Sequence, residues 1–420
     1  MNKLPIKTVV DNMLKLQDEG TFASILGIGP MSQNCVQATL ELSDEMDFPV
    51  MFIASRNQVD ADEFGSGYVN KWDQERFSKA VKEVAEKIKY DNMYYLCRDH
   101  GGPWQRDEER RNHIPEEEAM VIGKKSYEYD MKAGFDLLMI DPTKDPFEVG
   151  KVIPLDVVLQ RTVDLIEYCE DKRKSLGLSD IGYEVGTEET NGGLTTTETY
   201  ETFINRLNAA LDEKGLPHPT FIVGQTGTLT RKTEQVGHFN FENAKDLSQM
   251  AKKYSVGLKE HNGDYLDDLT LLQHIPAGVT AINVAPQYGT EETRAYLVLA
   301  NLEDKLADLG LVKEKSNTRE VLLKNAIESE RWRKWMVDGQ NDLTVDEIKA
   351  DAKLSDEILD IAGHYTFNND EVKNELEKLF KNLKEQHVDS ERYVIDCIKR
   401  PIRDYAESLN LNGLTSKISK

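Results

Sequence analysis

The chain of 420 residues has only four cysteines, Cys35, Cys97, Cys169 and Cys397, and no CxxC pair. A zinc site built on thiolates is thereby excluded, and widely spaced cysteines fit free thiols in a reducing cytoplasm. Long apolar runs are missing too. None approaches the roughly 18–20 residues that span a bilayer. The opening stretch MNKLPIKTVVDNMLKLQDEG has neither an unbroken apolar core nor a small-residue cleavage site, so no secretory leader is expected. Basic residues are few beside acidic ones. Lys and Arg number 52 against 75 Asp and Glu, a net charge of −23. Such a surface suits neither nucleic acid nor an anionic membrane. An anionic small ligand would have to be met by a few local cations or helix N-termini. Finally, no GxGxxG follows an apolar run; GIGPMSQN has the wrong spacing, which weakens the case for an open, doubly wound nucleotide-binding sheet.

What is present is a rhythm. Eight short apolar runs recur: ASILGIG (23–29), VMFIAS (50–55), MYYLC (93–97), FDLLMI (135–140), DIGYEVG (180–186), TFIVG (220–224), VGLKE (256–260) and VTAINVA (279–285). Amphipathic helical patterns such as DQERFSKAVKEVAEKIK lie between them. Buried strands alternating with helices imply a parallel sheet with helices on its outside. Eight such units in this length of chain predict an α/β fold, a (β/α)8 TIM barrel, over residues 1–310. From 311 to 420 the strand rhythm stops and helical patterns follow, with apolar positions such as Leu376, Leu379, Phe380 and Leu383 on one face. This helical C-terminal region is expected to pack on the barrel or on a partner subunit, and the Trp332/Trp335 pair reads as packing.

Barrel enzymes carry their chemistry at the C-terminal ends of the strands. His100, Glu184 or Glu188, and His261 fall at the ends of the third, fifth and seventh runs. Two imidazoles and a carboxylate with open positions form a catalytic site for a divalent metal such as zinc or manganese. Asp99, next to His100, suits a general acid/base, as does Glu188. His238, in the loop after the sixth run, is a further residue able to approach the mouth. Polar residues at the other ends are candidate substrate contacts: Asn57 and Gln58, Asp141, Gln225, Gly263 and Asp264, and Asn283. Barrel phosphate sites use the loops after the last two strands. Here these are HNGD and NVAPQYGTEETR, where Gly263 and Gly289 allow close backbone approach and a helix starting at Gly289-Thr290 would offer free N–H groups. The segment GGPWQRDEERRNHIPEEE after the third run is long enough to be a lid.

Six segments carry a resemblance: SRNQVDADEFGSGY, RDHGGPW, GFDLLMIDPT, GYEVGTEETNGG, KEHNGDYLDD and INVAP. They resemble the class II tagatose-bisphosphate aldolase non-catalytic subunit family, which includes sugar-phosphate 4-epimerases and is distantly related to the metal-dependent class II aldolases. The resemblance implies that Asp99 is the acid/base, that His100 and His261 are metal ligands, and that Asn283 lies near the phosphate or the ketose. Class II aldolases place a third histidine after strand 6; here that stretch reads VGQTGT, with Gln225 and no histidine. Arg56 and Arg98 add positive charge beside the strand ends. The expected activity is a metal-dependent inversion at C4 of a ketohexose or ketohexose 6-phosphate. The C3–C4 bond would break to an enediolate and an aldehyde, and the aldehyde would turn and re-add. The alternative is a non-catalytic subunit that stabilises an aldolase partner. The expected ligand is a sugar or sugar phosphate, the location the cytoplasm, and the assembly a homo-oligomer.

Overall fold

A run that is apolar at every position can be buried on both faces, and a helix-covered parallel barrel does that. The computed structural model describes residues 3–148, 152–187 and 194–420. Its barrel strands are β1 (Ile25–Ile28), β2 (Val50–Ser55), β3 (Tyr94–Gly101), β4 (Leu137–Ile140), β5 (Gly182–Val185), β6 (Phe221–Val223), β7 (Gly257–Glu260) and β8 (Ala281–Val284). Neighbours pair in parallel, and β8 returns to β1 with Ile25 opposite Ala281 and Ile28 opposite Val284. The sheet is therefore a closed TIM barrel, as the eight runs predict. The outer helices start where the sequence supplies caps. Ser32, Asp73, Thr196 and Asn240 each accept the backbone N–H three residues on. Among the described residues no helix is long and apolar enough to cross a membrane. The four cysteines are free and buried.

β3 departs from its predicted extent. It runs on to Gly101, and its register against β4 shifts between Arg98 and Gly101. His100 lies in the left-handed region, with φ 46°. In a regular strand neighbouring side chains face opposite ways, and a bulge breaks that alternation. The consequence for Asp99 and His100 appears below.

Arg56 and Arg98 do not add charge to the mouth. Both are fully buried. Arg56 pairs with Asp60 at 2.9 Å and with Glu109 at 2.7 Å. Arg98 pairs with Asp130 at 2.5 Å and donates to the carbonyls of Ala54 and Val59. These bonds tie the loop after β2 to β3 and hold Asn57 and Gln58 at the barrel end. The segment after β3 is not an open loop either. It forms the helix Asp107–Arg111, and the Trp104 indole is buried, donating to the carbonyl of Ile114.

The helical region beyond residue 310 sits on the barrel. The helix Ser390–Ser408 lies against Gln33–Met46 and Pro286–Asp308. Arg392 reaches Glu41 and Arg403 reaches Glu45, each at 2.7 Å, and the Tyr405 hydroxyl donates to the Gly263 carbonyl at 2.6 Å. Leu376, Leu379 and Leu383 are buried, and one continuous apolar core contains both Ile6 and Ile418. A fragment ending at residue 310 would expose the apolar faces that this region covers. Such a fragment is expected to aggregate or to lose its near-UV circular dichroism. A soluble, cooperatively unfolding 1–310 fragment would refute the expectation.

Candidate functional site

A cavity of about 320 Å³ opens at the C-terminal end of the barrel. Asp99 and His100 both line it, although they are adjacent in β3. The bulge allows this by turning one of the two out of its normal alternation. His261, just after β7, and Asn283, in β8, line the same cavity. Asn283 has room because its β1 partner is Gly27; a Cβ there would meet Asn283 Oδ1 at 2.3 Å. Asn283 Nδ2 donates to Asp99 Oδ1 at 3.0 Å, and its own Oδ1 is buried without a partner.

The donor atoms of Asp99, His100 and His261 all lie within 4.8 Å of one another. Each imidazole is tethered to a carboxylate. His100 Nδ1 is 2.7 Å from Asp141 Oδ2, and His261 Nε2 is 2.8 Å from Glu184 Oε1. The two rings meet edge to face, with centroids 5.0 Å apart. A carboxylate on one ring nitrogen fixes the tautomer; at His100 this leaves Nε2 for a metal, whereas the His261 Nε2 that meets Glu184 also lies 3.9 Å from Asp99 Oδ1. The set therefore fits a divalent ion held by oxygen and nitrogen. Burial alone would raise the Asp141 carboxyl. Hydrogen bonding and charge from His100, with Lys144 and Thr143, outweigh it and hold Asp141 below the usual carboxylate range.

Several residues stand elsewhere than the sequence suggests. Glu184 does not join the donor trio; it is fully buried in the barrel, bonded to His261 Nε2, with Lys259 Nζ at 2.5 Å on its other oxygen. Asp141 stands behind His100 and is no part of the cavity lining, and Gln225 and Gly263 are also outside it. Asn57, Gln58 and Asp264 do line the cavity. Glu188 falls outside the described residues. His238 is exposed and away from the lining. The helix after β8 starts at Pro286, not at Gly289. Its first N–H groups are already taken, because Asp264 Oδ1 accepts from Ala285 N at 3.0 Å and Gln287 N at 2.9 Å. Burial nevertheless pushes the Asp264 carboxyl up to about 7. The amides that Asp264 binds are those of Ala285 and Gln287, whereas Gly289 and Thr290, read as the helix start, lie inside the helix.

Other site residues are not singled out by the strand-end pattern. Lys259 is one, a charged residue inside an otherwise apolar run, and a buried lysine there needs an anion. The rest come from the helical region. Lys334, Trp335, His364 and Tyr365 form one wall of the cavity. Trp335 is therefore not simple packing, while Trp332 is fully buried in the core. Nothing in the spacing of the sequence links these four to the barrel mouth.

The fold and this donor set define a parallel eight-stranded barrel with a candidate metal site at the ends of its strands. Within that class the chain belongs to the D-tagatose-1,6-bisphosphate aldolase subunit GatZ/KbaZ-like family, whose model matches residues 10–392. It is an aldolase-related protein of tagatose metabolism. No curated protein matches it by sequence. Among solved structures, it is similar to a probable tagatose 6 phosphate kinase from Sinorhizobium meliloti 1021, with 19% identity and a TM-score of 0.74 over 92% of this chain and 100% of that one. The fructuronate-tagaturonate epimerase UxaE from Cohnella laeviribosi shares the fold at 12% identity and a TM-score of 0.55, over 93% and 81% of the two chains. A fructose-bisphosphate aldolase from Campylobacter jejuni does so at 13% and 0.50, over 96% and 95%.

Proposed function

We propose that this chain is a metal-dependent epimerase that inverts C4 of a ketohexose or its 6-phosphate. The observation that carries the reading is the Asp99, His100 and His261 trio in the cavity, with each imidazole held by its own carboxylate. His100 and His261 would hold the ion. When bound, the ion supplies Lewis acidity at the ketose carbonyl. Asp99 takes the proton of the C4 hydroxyl. The oxygen lone pair becomes the C4 carbonyl as the C3–C4 bond breaks, and the bonding pair stays on C3 as an enediolate. The aldehyde fragment turns within the cavity. The C3 pair then adds to its other face, and Asp99 returns the proton to O4. No external oxidant or reductant is needed. Direct removal of the C4 hydrogen would not give a stabilised anion, because that hydrogen is β to the C2 carbonyl. Asn283, bonded to Asp99, orients the base.

The test uses the purified full chain, free of partners, loaded with zinc or manganese. Fructose, tagatose and their 6-phosphates are followed by NMR in deuterium oxide. Inversion at C4 with its original hydrogen retained, inhibition by chelators, and a trace of triose products are expected. Deuterium entering C4 would sink the cleavage mechanism. A chain that holds metal but turns over none of these sugars would sink the enzyme reading. It would favour the second one, a stabilising partner of a separate aldolase, which the family's description as a subunit supports.

A further inference from the structure

Three histidines of this chain are buried: His261, His274 and His364. His261 is bonded to Glu184 and His274 to Glu260 and the Thr270 carbonyl. His364 differs. It is 2% exposed, it lines the cavity, and neither ring nitrogen has a hydrogen-bond partner. Native folds rarely leave a buried polar group unsatisfied, and those that do usually have a use for it.

The ring is held firmly where it is. His364 sits on the short turn Gly363–Thr366 with its ring tilted against Tyr365, centroids 4.1 Å apart, and Tyr68 at 6.4 Å. On its other side lies the helix after β8, approached at Gly289. A Cβ at Gly289 would meet His364 Cβ and Cγ at 2.7 Å, so only glycine lets the ring lie there. The first amides of that helix are bound to Asp264. What this corner offers a ligand is thus an imidazole instead of a row of N–H groups. Burial, and next the charges of Lys334 and Arg331, push His364 down to about 3. A neutral ring has one N–H donor and one lone pair, which together match a hydroxyl. Aromatic faces beside it suit the C–H faces of a sugar; Tyr68, Trp335 and Tyr365 all line the cavity.

We infer that His364 is a substrate-binding and specificity-determining residue, supplied by the helical region, whose ring nitrogens hydrogen-bond a ketose hydroxyl outside the reacting C3–C4 pair. This rests on the reading of the cavity as a ketose site, but it does not require turnover.

The experiment is calorimetric binding of tagatose, fructose and their 6-phosphates to the full, metal-loaded chain, wild type against His364→Phe and His364→Gln. His364→Phe removes both nitrogens and should weaken ketose binding about tenfold or more, with metal content unchanged. It should not lower the melting temperature, because an unsatisfied polar group is replaced by an apolar one. His364→Gln, which keeps a donor and an acceptor, should recover much of the affinity. In turnover, His364→Phe should raise KM far more than it lowers kcat. If the Phe variant does not fold, the ¹⁵N ring resonances of His364 in the wild type decide. They should shift on addition of tagatose or tagatose 6-phosphate. Wild-type affinity in His364→Phe, or ring resonances unmoved by saturating ketose, would overturn the inference. Ketose binding through His364 without epimerisation would sink the epimerase reading alone.

Discussion

Asp99→Asn is expected to lower turnover by about a thousandfold while the bound metal stays. The amide keeps the shape of the side chain and its contact with Asn283, and it loses only the ability to take a proton. Metal analysis alongside kinetics makes the result decisive, because Asp99 is also one of three donor groups within 4.8 Å of each other. If the metal leaves with the carboxylate, Asp99 is a ligand and the base lies elsewhere. His100→Ala and His261→Ala should each abolish both metal and activity. Neither residue belongs to the apolar core, so their removal should leave the fold intact.

The second large effect concerns stability. Lys259→Met should cost about 3–5 kcal/mol, because it leaves the Glu184 carboxylate buried without its cation. Burial alone would raise Glu184; Lys259 and next His261 outweigh it and hold it below the usual range. Both members of the pair are fully buried, and Lys259 Nζ also lies 5.4 Å from the centre of the Phe221 ring. The double variant Lys259→Met/Glu184→Gln should recover much of the loss, since no unpaired charge then remains inside the barrel. Urea unfolding of the two variants checks this. A single variant within about 1 kcal/mol of wild type would mean that the ion pair is replaceable by its surroundings. Glu184→Gln alone should weaken metal binding about 10–100-fold, through the orientation of His261.

The barrel itself was legible because burial on both faces leaves a simple mark, a short run of Val, Ile, Leu, Met and Phe without alternation. His100 and His261 were legible because a strand end in a barrel is a location, and their chemistry is distinctive there. Glu184 was harder to place. A carboxylate inside a strand reads equally as a metal ligand or as a partner of one, and what decides is Lys259, two positions before His261. Arg56 and Arg98 show the same limit: a sequence gives their charge but not Asp60, Glu109 and Asp130, which neutralise it. His364 left no trace. It reaches the mouth only because the helical region folds back over the helix that follows β8, and long-range proximity of that kind has no periodicity to read.

The shift in β3 makes the site depend on a count of residues. Asp99 and His100 share a cavity because the strand carries one more residue between Arg98 and Gly101 than an even ladder would accommodate. The only residues in that interval are Asp99 and His100 themselves, so a deletion that evened the ladder would remove one of the two donors. A chain with every other donor intact would then present a lone group where two are needed, so an insertion or deletion there is a larger change than any conservative substitution nearby.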